Sequence, residues 1–167
     1  GDISTVSDGT NTYTANQFCH HASATPIDLG LKQYTIASKS GGTLTLTVTW
    51  GAGKAWYGFL QWQSVVNTTG LDTGANQCIG GTSPDPAITT SGNLAASNEF
   101  ILGRASLYGG QTFAGIPSGY TDIVGGAGSG GSTAYKVTGT AASPLTATWS
   151  TSGVSRDWLG ALVGLKP

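Results

Sequence analysis

Glutamate occurs once in this chain, at Glu99, and aspartate seven times. Cleaving a glycosidic bond takes two carboxyl groups flanking it, one to protonate the leaving oxygen and one to attack or to activate water. Most of the aspartates stand in turn contexts: Asp8 before Gly9, Asp28 after Pro26, Asp72 before Thr73-Gly74, and Asp85 between two prolines. A short carboxylate in such a place binds its own backbone amides. Glu99 and Asp122 are the groups on which a glycan-cleaving reading would rest. Asp122 and Asp157 are read equally well as solvated, or as paired with Lys136 and Arg156.

Cys19, His20 and His21 are consecutive. Neighbours in an extended segment point to opposite faces, so the three cannot all serve one metal. Cys19 and His21 share a face, but two ligands leave a tetrahedral zinc site half empty. A loop with two exposed or half-buried imidazoles is the simpler reading. Serine is abundant, yet no Gly-x-Ser-x-Gly elbow occurs at a strand-to-helix turn, and Gly128-Ser129-Gly130 lacks that setting. The glycines of segment 124–133 (VGGAGSGGST) follow no strand–GxGxxG–helix pattern and read as a flexible loop. Asn67-Thr68-Thr69 matches a glycosylation acceptor, on which nothing here leans. No catalytic residue, metal site or cofactor is expected.

Five tryptophans carry more weight: Trp50, Trp56, Trp62, Trp149 and Trp158. Strand parity places Trp50 and Trp149 on an apolar face. Trp56, Tyr57, Trp62, Tyr108 and Tyr120 have no orientation fixed by the pattern. Beside Gln61, Gln63, Asn67 and Asn76 they would form a sugar platform if exposed, and a core or a protein interface if not. The candidate ligand or interface contacts are therefore Trp56, Tyr57, Gln61, Trp62, Gln63, Tyr108 and Tyr120.

The elements that must position these residues read as strands. In residues 43–50 Leu44, Leu46, Val48 and Trp50 alternate with four threonines, the period-two pattern of a half-buried strand. Residues 145–150 repeat it, with Leu145, Ala147 and Trp149 inward and Thr146 and Thr148 outward. Further strands are expected over residues 11–15, 31–38, 56–66, 87–91, 99–107, 120–124, 133–138 and 158–166, separated by Gly- and Pro-rich turns. Residues 56–66 and 158–166 are nearly continuous in apolar character, as in central strands covered on both sides. Gly58, Gly160 and Gly164 inside them require a close neighbour, for which a facing indole is a candidate. Thr47-Val48-Thr49-Trp50 followed by Trp56-x-Gly58-x-Leu60 echoes Thr146-Ala147-Thr148-Trp149 followed by Trp158-x-Gly160-x-Leu162. Each reads as a hairpin, and two such hairpins suit a double-sheet jelly roll.

The 167 residues suit one domain, with 38% hydrophobic residues and only 9% charged, against roughly 25% charged in an average soluble protein. Net charge is −1, with five Lys and two Arg dispersed, so there is no basic stripe for nucleic acid. Neither an apolar run long enough to span a membrane nor an amphipathic helix to lie on one is present. Methionine is absent and the first residue is Gly1. The chain is expected to be a processed product, an excised domain or part of something longer. Cys19 and Cys78 are either two separate buried thiols or one bridge closing a loop of about 60 residues, which chain entropy values at about 4 kcal/mol at most. Threonine-rich, charge-poor composition argues for an oxidising, extracellular setting and hence for the bridge.

Several short motifs, in order, resemble those of a family of β-sandwich domains found in bacteriophage structural proteins and in bacterial surface or secreted proteins. Val6-Ser7-Asp8-Gly9-Thr10-Asn11-Thr12-Tyr13 is similar to that family's opening turn and strand, and residues 43–50 to its threonine-alternating strand. Residues 62–72, Ser118-Gly119-Tyr120-Thr121, Ala134-Tyr135-Lys136 and residues 148–166 resemble its later segments. The resemblance covers nearly the whole chain. It implies a jelly-roll-like or concanavalin-like sandwich with a structural or adhesive role and no catalytic residues to carry over. Two departures stand out. Gln replaces a usual carboxylate within residues 60–65, and the family's apolar strand before the Asp8-Gly9 turn is expected to be missing, leaving a sheet edge for another chain to fill.

The expectation is thus an all-β, two-sheet antiparallel sandwich acting without catalysis in a virion, fibre or cell-surface assembly, through contacts with protein subunits. A carbohydrate-binding or adhesion module is the alternative, and a glycan-cleaving enzyme the third reading.

Overall fold

A computed structural model describes residues 3–22, 28–34, 45–51, 65, 68–141 and 143–167. Every regular element among them is a strand: β1 (Ile3–Ser7), β2 (Thr12–Tyr13), β3 (Ala15–Ala22), β4 (Asp28–Tyr34), β5 (Thr47–Trp50), β6 (Gly70–Ser83), β7 (Ala87–Thr89), β8 (Phe100–Leu107), β9 (Thr121–Val124), β10 (Gly131–Val137), β11 (Thr146–Thr148) and β12 (Arg156–Lys166). All pairings are antiparallel. They assemble a five-stranded sheet in the order β6-β12-β8-β10-β9, a three-stranded sheet β2-β1-β5, and the two-stranded pairs β11-β7 and β3-β4. The protein is an all-β antiparallel sandwich.

The five-stranded sheet organises the rest. Its strand β12 is buried from Trp158 to Leu165, because its apolar residues face a packed layer on both sides. On one side Trp158, Leu162, Ile101, Ala105, Leu107 and Ala134 join Ile88, Ala147 and Trp149 of the β7-β11 pair in the main core. The Trp149 indole donates to Ser132 Oγ at 3.1 Å and the Trp158 indole to Ser83 Oγ at 2.9 Å, which satisfies the polar end of each ring. On the other side β3 and β4 lie against β12, and Gln17 Nε2 donates to Leu162 O at 2.6 Å. Cys19 and Cys78 form a disulfide that ties β3 to β6.

Glycine lets these layers approach. A Cβ on Gly160 would stand 2.5 Å from Ile88 Cδ1 and 2.7 Å from Arg104 O. The occupant there is an isoleucine, and an indole instead fills the place beside Gly103, where a Cβ would lie 3.0 Å from the Trp149 ring.

Several expectations are corrected. The 145–150 strand does not form a hairpin with 158–166: β11 pairs with β7, while β12 lies between β6 and β8. The returning arm of the other expected hairpin falls outside the described residues. A strand does precede the Asp8-Gly9 turn, since Ile3–Ser7 pairs with β2 on one edge and with β5 on the other. Trp50 is 43% exposed and not a core residue. It is the last residue of β5, opposite Ile3 at the start of β1, so its apolar row runs off the end of the sheet.

Candidate functional site

Tyr108 follows the end of β8, is half-buried, and its amide donates to Asp157 O at 3.0 Å. Tyr120 is 9% exposed and belongs to the core. Burial raises its hydroxyl well above the usual tyrosine range and removes it from the expected contact set. Trp56, Tyr57, Gln61, Trp62, Gln63 and Asn67 lie outside the described residues. Of the expected aromatic contacts, the structure thus describes Tyr108, half-buried, and Tyr120, in the core.

The ionisable groups resolve into local structural roles. Asp8 accepts the amides of Thr10 and Asn11 at 3.0 and 2.7 Å, the self-capping that its turn position demands. Asp122 is exposed and accepts from Gly126 N at 3.3 Å. His20 is exposed, whereas His21 Nε2 stands 3.6 Å from Asp157 Oδ1. With Cys19 held in the disulfide, it has no thiolate to offer a metal or an electrophile. Among the described residues, no three His, Cys, Asp or Glu side chains converge on a metal site.

The fold does create a carboxyl pair, with Asp72 and not Asp122 as the partner of Glu99. Both side chains are buried. Asp72 accepts from Gly74 N at 2.9 Å and Ala95 N at 2.8 Å, and Glu99 accepts from Ala96 N at 2.6 Å. Burial pushes Glu99 above the ordinary glutamate range, and the neighbouring Asp72 charge adds to this. Burial also pushes Asp72 upward, but the Ala95 and Gly74 amides, the Glu99 carboxyl and the Lys166 charge together outweigh it and leave Asp72 below the ordinary range. Glu99 Oε2 has no hydrogen-bond partner. The Asp72 carboxylate is thus held by backbone amides, and Glu99 beside it is the group that burial and that charge push toward its neutral form. That arrangement suits a structural clamp.

Two surfaces remain that can meet other molecules. The first is the second face of the five-stranded sheet. Cross-strand partners share a face, and three rows run across it: Leu165–Phe100–Val137, Val163–Leu102–Tyr135–Thr121 and Ala161–Arg104–Thr133–Val124. Each row is buried at β12 and half-buried at Phe100, Leu102 and Arg104; exposure rises at Val137, Thr121 and Val124, while Thr133, between Arg104 and Val124, stays buried. Val124 is 42% and Val137 55% exposed, and the Phe100 and Tyr135 rings stack with centroids 5.2 Å apart. Arg104 Nη1 donates to Thr133 Oγ1 at 3.1 Å, and burial lowers the Arg104 pKa.

The second is a depression of about 320 Å³ where β3 passes β6, lined by Asn16, Gln17, Phe18, Asn76, Gln77 and Cys78. Asn16 occupies the register shift between Ala15 and Gln17, which turns it out of the β3–β4 ladder. Phe18 is 53% exposed, and the Lys32 ammonium lies 5.1 Å from its ring centre. Sequence suggests Asn76 as a contact and Cys78 as a disulfide partner in this group. The others were hidden because β6, with its Gly, Asn and Gln content, gives no strand signal to set them opposite β3.

Compared with family models, with curated proteins and with solved structures, the chain matches none.

Proposed function

We propose that this protein is a non-catalytic structural domain that builds an extracellular or virion-surface assembly through contacts between copies of the chain. The observation that carries this reading is the apolar face of the five-stranded sheet. It passes from sealed at β12 to exposed at Val137, beside the Phe100–Tyr135 stack, and at Val124 on β9, beyond the buried Thr133. Exposed apolar side chains with few charges among them are what a protein interface buries at its centre.

Two features agree with it. The disulfide fits an oxidising compartment. The two carboxyl groups that the fold pairs are buried and accept hydrogen bonds from backbone amides. The motif resemblance to phage structural and bacterial surface domains points the same way and rests on the ordered motifs alone.

Sedimentation across a concentration series tests the proposal. The native chain is expected to self-associate, and the Val124→Asp/Val137→Asp double variant to stay monomeric while keeping its fold, with at least tenfold weaker association. A native chain that remains monomeric at hundreds of micromolar would overturn it.

A further inference from the structure

Buried side-chain atoms that lack a hydrogen-bond partner number seven among the described residues, and four of them belong to residues lining one depression: Asn16 Nδ2, Asn16 Oδ1, Gln17 Oε1 and Asn76 Oδ1. Leaving such a group unpaired costs about 1–3 kcal/mol; the four atoms are themselves buried, so a ligand offsets that cost when the side chains turn into the depression to meet it. Gln17 is only 9% exposed. Its orientation is fixed, because Nε2 must be the atom that donates to Leu162 O at 2.6 Å. Oε1 is left as the unpartnered acceptor.

The chemistry of the lining restricts the ligand. Asn, Gln and Phe carry no charge, and the Cys78 sulfur is in the disulfide. The lining offers an ion no counter-charge, and the Lys32 ammonium, 5.1 Å from the Phe18 ring centre, disfavours a cation. Three acceptors and one donor call for a ligand rich in hydroxyl groups, each of which both donates and accepts. The Phe18 ring at the rim adds an apolar face for ring C–H groups. A volume of about 320 Å³ stands at the small end of ligand pockets, which run from about 300 to 1,000 Å³. The disulfide between Cys19 and Cys78 holds the two walls in register.

We infer that the β3–β6 depression is a binding site for a neutral pyranose unit of a saccharide, held by the Asn16, Gln17 and Asn76 amides with Phe18 against its apolar face. This site is separate from the assembly face, and its fate is independent of the assembly proposal.

Side-chain amide resonances in ¹H–¹⁵N spectra read the site directly. Glucose, galactose, mannose and N-acetylglucosamine are titrated one at a time, with glucuronic acid as the charged arm, glycerol as the acyclic arm and a short neutral peptide as the protein-ligand arm. At least one neutral pyranose is expected to shift the Asn16, Gln17 and Asn76 amides with millimolar affinity. Asn76→Ala is expected to weaken that response at least tenfold, and Asn16→Ala to do the same should the first variant fail to fold. Thr148→Ala, on β11, should leave it unchanged. The inference is overturned if no neutral pyranose shifts these amides, if the shifts survive the amide replacements in folded protein, or if glycerol, glucuronic acid or the peptide matches the best sugar.

Discussion

Glu99 and Asp72 show how a fold can use two carboxyl groups for architecture. Glu99 joins the segment before β8 to the end of β10, its amide donating to Thr138 Oγ1 at 3.0 Å, while its carboxyl reaches Ala96 N and Asp72. Replacement by glutamine imitates the neutral acid, so Glu99→Gln is expected to cost about 1 kcal/mol and Glu99→Ala about 3 kcal/mol in chemical denaturation. The pH dependence has a definite sign. Glu99 is raised in the fold, so its stabilising proton is fully held below the ordinary glutamate value and is lost as pH rises through the folded one. Asp72 is depressed, so its contribution is present above the ordinary aspartate value and fades as pH falls. Glutamine cannot lose the proton. The stability gap between the native protein and Glu99→Gln should narrow as pH rises above the ordinary glutamate value, and a constant gap would contradict the upward shift of Glu99. Sequence alone exposed Glu99 as the single glutamate but gave no means of pairing it with Asp72, since the two meet only through the sheet. It also misplaced Trp50, because parity assigns a residue to a face without saying where the covering layer stops.

The strands were largely legible where composition alternates or runs apolar. The Phe100–Leu107 strand alternates half-buried with buried positions along its whole length, and β12 is buried on both faces as its continuous apolar run requires. Their partners were not legible. The 14-residue β6 carries four glycines together with Asp72 and Asn76, residue types depleted in strands; it exists because residues 70–72 and 77–83 pair with β12. The repeated Thr-x-Thr-Trp motif suggested a hairpin, yet Thr146–Thr148 pairs with a strand far back in the chain. Local pattern does not encode such a long-range choice. Two variants test the packing between elements. Gly160→Ala drives a methyl against Ile88 and the Arg104 carbonyl and should cost about 2–3 kcal/mol by thermal or denaturant unfolding. Replacing Cys19 and Cys78 together by serine releases a crosslink with a sequence separation of 59 and should cost about 2–4 kcal/mol, a loss reproduced in the native chain by reduction.

At the scale of the molecule, the five-stranded sheet has one face closed by the β7-β11 pair and, among the described residues, another covered by β3 and β4 at β6 and β12. The uncovered part of that second face is where the account places assembly. Methyl-resolved paramagnetic relaxation by a dissolved cosolute measures it most directly, with Val154, 45% exposed in the loop before β12, as the reference. Val124 and Val137 are predicted to be shielded in concentrated native protein and to become as accessible as Val154 on dilution. If all three valines are equally accessible at every concentration, that face contacts no other copy and the assembly role is wrong.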